Sequence, residues 1–566
     1  MKTFDWLVLA ASLGMVVLYG IWKSRRLQSS ENFLIGKRDL PWWTIGLSIM
    51  ATQASAITFL STPGQGFSDG MQFVQFYFGM PIAMVFLTVF ILPVYYRLRI
   101  TTAYEFLEQR FDLRMRTLTA ILFLIQRSVA AAISIYAPSI ILCAVLGWNL
   151  TMTNFLMVVF VVLYTTSGGS AAVSRTQELQ MAIMLGGLVL AFALILGQLP
   201  EDIGLGEAWQ IAGVTGKTQV VDWSFDWHDR YNFWSGVLGA TFLFLSYFGA
   251  DQSQVGRYLS GKSLKESRFG LLFNGFIKIP VQFLVLSVGV MVFVFYQFNA
   301  PPLHFNQVNR AKVEKSEQAG AFRHLEGQYD SLFQQKQVVL DRLRLEIHGE
   351  GASISASTRQ ALQQIETRQK ALRGEAEALI KKADPGGDPK DKDYVFINYV
   401  LQHIPSGLVG LMLAMIFCAA WSTTASELNA LTATSVSDIY RRSLVPDRDD
   451  THYFRMSRWF SVGWGAVIVL FATHADLFDN LIQAVNMIGS IFYGTILGIF
   501  FTAFFLKRVQ GRAVFWGAVA AQSIVAFLFF FIDKNAYLWY NPLGCGLVMA
   551  VSWLLQPVLR LERQTL

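Results

Sequence analysis

An all-α protein that crosses a membrane about thirteen times is the fold class this sequence predicts, on three observations. Of 566 residues, 53% are hydrophobic and only 15% charged, where a soluble protein carries about 45–50% and about 25%. Apolar runs of roughly 20 residues, the length that crosses a bilayer as a helix, recur from one end of the chain to the other. Lysine and arginine collect on one side of those runs.

The runs cover residues 4–22, 43–62, 72–96, 116–146, 152–168, 176–198, 232–256, 270–298, 406–437, 459–473, 481–506, 513–531 and 538–559. The first does not read as a cleaved leader: Asp5 stands in its first turn, no small-residue cleavage site follows, and Lys23, Arg25 and Arg26 come after it. With the N-terminus outside, the inner segments hold 25 Lys and Arg, and the short outer segments between spans hold Lys217, Arg230 and Lys534. Basic residues stay on the cytoplasmic side, so the expectation is an outside N-terminus and a cytoplasmic C-terminus, in a plasma membrane of the bacterial inner-membrane type. The net charge of +7 therefore records orientation and does not call for a nucleic-acid partner. Cys143, Cys418 and Cys545 lie within apolar runs, form no CxxC pair, and report nothing about redox compartment.

Residues 300–393 differ, with 15 basic and 14 acidic side chains. Long outer loops are exempt from the charge rule. Two heptad-like runs, 308–348 and 356–383, flank Gly349-Glu350-Gly351. Leu325, Leu332, Leu340, Leu343 and Ile347 face Leu362, Ile365, Leu372 and Leu379 at helical spacing. The expectation is an antiparallel helical hairpin projecting from the membrane, with Asp384-Pro385-Gly386-Gly387 as its exit linker. It either stays solvated, binds a protein partner, or gates solute access.

Ionisable residues deep in a span are costly. Arg127 sits near the middle of the fourth span. Its planar fork suits a substrate carboxylate; the alternative is an internal ion pair with Asp251 or Glu427. Lys278 and Asp251 lie nearer the inner ends of their spans and suit structural or gate pairs. Glu178 begins the sixth span, where a helix N-terminus favours an acid.

The second span is interrupted at Ala51-Thr52-Gln53-Ala54-Ser55-Ala56-Ile57-Thr58, and the seventh at Ser246-Tyr247-Phe248-Gly249-Ala250-Asp251-Gln252. Each opens a set of five spans. Two broken helices at corresponding positions point to an inverted-repeat transporter, in which unwound backbone at the midplane binds ion and solute; close packing of small residues is the alternative. In the ninth span, Ser422, Thr423 and Ser426 offer neutral oxygens within about one turn. They either ligate Na⁺ or bond back to carbonyls four residues earlier.

Several strings resemble the sodium/solute symporter family, whose members carry sugars, proline, pantothenate and sialic acid. They are Leu40-Pro41-Trp42-Trp43, Thr102 through Phe111, Tyr136-Ala137-Pro138, Gly168-Gly169, and Ser422-Thr423 through Asp438-Ile439-Tyr440. The resemblance implies a five-plus-five inverted-repeat, leucine-transporter-like core with extra helices at each end. It implies a Na⁺ site on the carbonyls of Ala51, Ala54 and Ala419 and the hydroxyls of Ser422 and Thr423. Substrate positions fall on Ser55, Thr58, Tyr77, Gln126 or Arg127, and Asn486; the aromatic gate falls on Tyr247 and the family's lysine on Lys278, beside the gate pairing that position alone suggests for Asp251. Two departures stand out. Gln177 replaces the Asp that serves a second cation or proton in some members, and Ala425 replaces a hydroxyl of that site, so one coupled Na⁺ is expected, with Glu178 a possible stand-in. Thr58 and Tyr77 stand where sugar carriers have an amide and a carboxylate, whereas Arg127-Ser128-Val129 running to Tyr136-Ala137-Pro138 resembles the sialic-acid branch.

The division expected is 1–42, an extra helix and inner loop; 43–198, the first repeat; 199–231, an outer loop; 232–299 with 394–508, the second repeat; 300–393, the hairpin; and 509–566, two further helices. The function expected is Na⁺-coupled uptake of a small organic anion, with sialic acid leading; its rivals are a neutral sugar or polyol symporter and a membrane solute sensor. The sensor reading lacks an output domain, since only seven residues follow the last span. An enzyme is not expected, because the seven His are scattered and no catalytic constellation appears.

Overall fold

A computed structural model describes the chain except for residues 25–28, 37, 230, 350–353, 475–480, 533–536 and 562–566. Arg25, Arg26, Arg230, Lys534 and the Glu350-Gly351 part of the hairpin turn lie outside the described residues. Every apolar run coincides with helix, and the described residues hold no strand beyond an isolated bridge between Leu40 and Gly261. Large apolar side chains such as Leu18, Leu163 and Phe531 are exposed, as side chains facing lipid tails are. This is a multi-pass membrane protein.

Helix α1 (Thr3–Ser24) is followed by the broken pair α2 (Trp42–Gln53) and α3 (Ala56–Asp69), whose axes differ by 65°. The break lies at Ala54 (φ −85°, ψ 77°) and Ser55 (φ −76°, ψ 172°). In a continuous helix the Ser55 N–H would bond to the Ala51 carbonyl; here it reaches the Gln53 carbonyl at 3.1 Å. The Ala51 carbonyl is thereby released for other donors. The run Gln72–Leu98 (α4) and the short helix Ala103–Arg110 (α5) lead to α6 (Leu113–Leu146).

The fifth and sixth spans are two helices that meet at the non-helical Gly169 within Leu150–Leu196 (α7), so the break lies at Gly169 and not at Arg175, where the inner loop was expected. Gly169 has φ +52°, and a Cβ there would lie 2.4 Å from the Phe33 carbonyl, so both conformation and packing demand glycine. Arg175 lies within the helix and pairs with Glu178 at 3.6 Å.

The seventh span breaks between α8 (Ala240–Gly249) and α9 (Gln252–Leu259). Asp251 caps α9, accepting from the Ser253 N–H at 2.9 Å and the Ser253 hydroxyl at 2.6 Å. One carboxylate oxygen thus stabilises the break and the other remains for the site. The eighth span is α10 (Leu264–Phe298).

The hairpin comprises α11 (Gln307–Glu314), α12 (Ala319–His348) and α13 (Ala356–Ala383). Leu325 and Leu332 cluster with Leu372. The hairpin does not project. Leu340, Leu343 and Leu362, near its tip, join the core of the membrane body. The tip is anchored by Arg344, whose guanidinium holds Asp202 at 2.5 and 2.9 Å, and by His348, 3.0 Å from the Asp202 carbonyl. The base is held by Arg373 on Asp391 at 2.8 Å, and midway Gln337 donates to the Gln297 carbonyl at 2.8 Å. Anchored at both ends, it lies across one face of the body. Asp202→Ala therefore frees the tip: hydrogen–deuterium exchange across residues 340–362 rises several-fold, while exchange in the spans stays at the wild-type level.

The chain then forms α14 (Leu408–Thr434), continued by a π-helical turn over Ser435–Leu444, and α15 (Asp450–Ala472), α16 (Leu481–Phe505), α17 (Gly511–Phe531) and α18 (Tyr540–Leu561).

Candidate solute and ion site

The first break and the end of α8 just before the second line one cavity of about 90 Å³ in the body. Ser55, Thr58, Tyr77, Arg127 and Asn486 all line it, together with Tyr247. Gln126 does not; its amide is buried and turns to the Tyr493 hydroxyl at 3.3 Å. Lys278 stands behind the wall, its ammonium 5.6 Å from the Tyr77 ring centre. Lining residues that sequence reasoning did not place there include Phe76, Phe244, Glu427 and Tyr493. Tyr493 looks like any aromatic in an apolar helix. Its place is fixed by a long-range contact, the Ser246 hydroxyl donating to its carbonyl at 2.8 Å.

Arg127 settles its charge within the protein. It is 3% exposed and pairs with Asp251, with Glu427 at 3.0 Å and with the Tyr493 hydroxyl at 2.8 Å. Its guanidinium also lies 5.3 Å from the Tyr247 ring centre. One side chain of α6 thus ties together the α8–α9 break, α14 and α16. With both carboxylates ionised the cluster carries a formal charge of −1.

Along the same cavity wall, the Ala51 carbonyl released by the first break accepts from the Ser422 hydroxyl at 2.9 Å and the Thr423 hydroxyl at 3.4 Å. Ala54 lies at the break and Ala419 one turn before Thr423; both are buried. Carbonyls and hydroxyls are the neutral hard oxygens that suit an alkali cation, so this donor set fits Na⁺ as a transported ion.

Beside it, the Gln177 amide fills a nest of hydroxyls. Its NH₂ donates to Thr52 at 3.1 Å, Ser422 at 3.0 Å and Ser426 at 2.8 Å, while its carbonyl accepts from Ser48 at 2.5 Å. A neutral NH₂ occupies the position a cation among these oxygens would take. Glu178 does not reach this nest; it accepts from Thr44 at 2.6 Å.

A family model for sodium:solute symporters matches residues 33–321 and 377–521. The chain belongs to the sodium:solute symporter family. The stretch the family model leaves unmatched, residues 322–376, is most of the hairpin. The chain is 23% identical to the sodium/sialic acid symporter of Aliivibrio fischeri over 564 residues, covering 99% of this chain and 94% of that one. It is 25% identical to the Bos taurus sodium-coupled monocarboxylate transporter 2 over 551 residues, covering 95% and 74%. A structure described as the substrate-bound outward-open state of a Na⁺-coupled sialic acid symporter superposes with a TM-score of 0.76, at 22% identity over 98% of each chain. That likeness shows the all-α, leucine-transporter-like fold.

As a member of this family the chain is a Na⁺-coupled symporter that imports an organic solute by alternating access; its work is transport, not catalysis. Two of the symporter motifs meet at a second network. Asp438, in the π-helical turn after α14, accepts from Thr102 at 2.6 Å and from Arg116 at 2.7 Å. Arg116 continues to Glu108 at 2.8 Å, and Glu108 to Arg442 at 2.6 Å. Gln252, at the start of α9, accepts from the Ala103 N–H at 3.2 Å. The second broken helix is therefore fastened to the start of α5.

Proposed function

We propose that this symporter couples one Na⁺ to the uptake of a small carboxylated solute, with a sialic-acid-like sugar the leading candidate. The observation that supports the carboxylate is Arg127, the cation among the described residues lining the central cavity. A substrate carboxylate takes the place of Asp251 or Glu427 on the guanidinium, and the exchange loosens the tie between α6 and its partners. At about 90 Å³ the cavity is well below the ~300–1,000 Å³ of ordinary ligand pockets, so Tyr247 and Tyr493, with ring centres 5.9 Å apart, must part to admit a sugar. The Na⁺ ligands proposed are Ala51, Ala54, Ala419, Ser422 and Thr423. The charge asymmetry of the loops supports an outside N-terminus, a cytoplasmic C-terminus and a bacterial-type inner membrane, which puts the hairpin outside.

The paired state of Arg127 favours a second reading, a neutral sugar or polyol symporter in which the guanidinium is structural. Arg127→Lys separates the two, because an ammonium cannot reproduce a bidentate fork. On the carboxylate reading the half-saturating concentration for N-acetylneuraminic acid rises at least tenfold while N-acetylmannosamine is unaffected. Unchanged affinity for the acid assigns the neutral reading.

One Na⁺ with a monoanion is electroneutral and forgoes the roughly 2.3 kcal/mol per charge that 100 mV supplies. Gln177→Asp places a carboxylate among Thr52, Ser422 and Ser426. The expected result is a Na⁺ Hill coefficient rising from near one to near two, with uptake becoming electrogenic in voltage-clamped proteoliposomes. Electrogenic uptake of the anion by the wild type would refute the one-ion reading.

A further inference from the structure

The docked hairpin encloses a second cavity that transport through the central site does not use. It has a volume of about 750 Å³, within the range of ordinary ligand pockets. Its floor is the hairpin-side end of α3 and α10, and its roof is α12 and α13. Ser68, in the floor, is ten residues beyond Thr58 in the central cavity, about 15 Å along α3. Six basic side chains face four acidic ones in the lining. Three pairs are internal: Lys336 with Glu366 at 3.3 Å, Arg373 with Asp391 at 2.8 Å, and Lys392 with Asp69 at 3.3 Å. The remaining charged side chains of the lining are Lys217, Lys370, Lys390 and Glu377.

Two ammonium groups among them have no carboxylate within 4 Å among the described residues. Lys217 donates to the Ser68 carbonyl and lies 5.0 Å from the Phe293 ring centre; Lys370 is exposed on the lining of α13. Burial holds the Lys217 ammonium below the usual lysine range, so its positive form gains from an anion. A third donor is the Gln369 side chain, 8% exposed, whose carbonyl accepts from Lys336 at 3.1 Å while its buried NH₂ has no acceptor. Leaving such a donor unpaired is costly, and a ligand oxygen would satisfy it. Phe293 and Tyr296 add flat apolar walls of the kind that stack on a sugar ring.

We propose that this cavity is a second, Na⁺-independent binding site for a carboxylated sugar, held by Lys217, Lys370 and Gln369 beneath the docked hairpin. It rests on the solute class proposed above but on none of the residues of the central site. A site there captures the acid before the transport cavity opens.

The test is calorimetric titration of the full-length purified protein, once in K⁺ buffer and once in Na⁺ buffer. The probes are N-acetylneuraminic acid, neutral N-acetylmannosamine and inorganic phosphate. The expected result in K⁺ is one site for the acid, none for the neutral sugar, and weaker binding of phosphate. Lys217→Gln combined with Lys370→Gln weakens that K⁺ binding at least tenfold and leaves the additional Na⁺-dependent binding intact, which also shows that the variant is folded. No acid binding in K⁺, binding unmoved by the double variant, or phosphate binding as tightly as the acid would overturn the proposal. Loss of only the Na⁺-dependent component, in wild-type protein, would instead count against the central-site reading.

Discussion

Arg127→Gln destabilises the protein by about 3–5 kcal/mol, the cost of removing one partner from a buried ion pair, and abolishes Na⁺-dependent uptake. The reason lies in the arithmetic of the cluster. Arg127 is 3% exposed and faces Asp251 and Glu427, each also 2–3% exposed. Without it, two carboxylates remain side by side with no counter-charge. Arg127→Gln combined with Glu427→Gln removes one of them, while Asp251 keeps its cap on Ser253 at 2.9 Å. Thermal stability then recovers most of the loss, measured by fluorescence-detected melting in detergent, but uptake does not return. Glu427→Gln alone gives the complementary outcome. It leaves Arg127 with fewer competing acceptors, so N-acetylneuraminic acid binds at least fivefold more tightly on the carboxylate reading. A stable Arg127→Gln protein would show that the cluster is not what joins α6 to α9 and α14.

Much of the fold was legible because the signals are local. Each span is an apolar run, and the interruptions at 51–58 and 246–252 are short polar stretches in otherwise apolar helices. The freed Ala51 carbonyl accepts from the hydroxyls of Ser422 and Thr423, three residues that the family resemblance singles out. What stayed hidden depends on single contacts between distant residues. The hairpin heptads announce two packed helices, but its docking rests on Asp202 and Arg344, 142 residues apart. Sequence likewise left Arg127 open between a substrate and an internal carboxylate. Only the fold shows that the Asp251 cap, Glu427 and Tyr493 converge on one guanidinium. Lys278 and Gln126 carried polar groups of the right type, yet their helices turn them behind the cavity wall. No pattern of residue types reports that rotation.

Ser422→Ala combined with Thr423→Ala raises the half-saturating Na⁺ concentration at least about a hundredfold and uncouples uptake from the Na⁺ gradient. Each hydroxyl facing a cation is worth about 1.5–3 kcal/mol, and 1.4 kcal/mol is a factor of ten. The loss falls on the ion because the double variant removes two of the five proposed oxygen ligands, both next to the Ala51 carbonyl that the first break frees. Solute binding falls with it only if Na⁺ organises the broken helix, since Ser55 and Thr58 of the solute cavity follow directly on that break. Ser426→Ala is the control. It removes a partner of Gln177, at 2.8 Å, without removing a proposed Na⁺ ligand, and its Na⁺ dependence stays within about threefold of wild type. Equal losses in the two variants would move the ion from the Ala51–Ser422–Thr423 oxygens to the Gln177 nest, and the stoichiometric argument built on that amide would fall with the site.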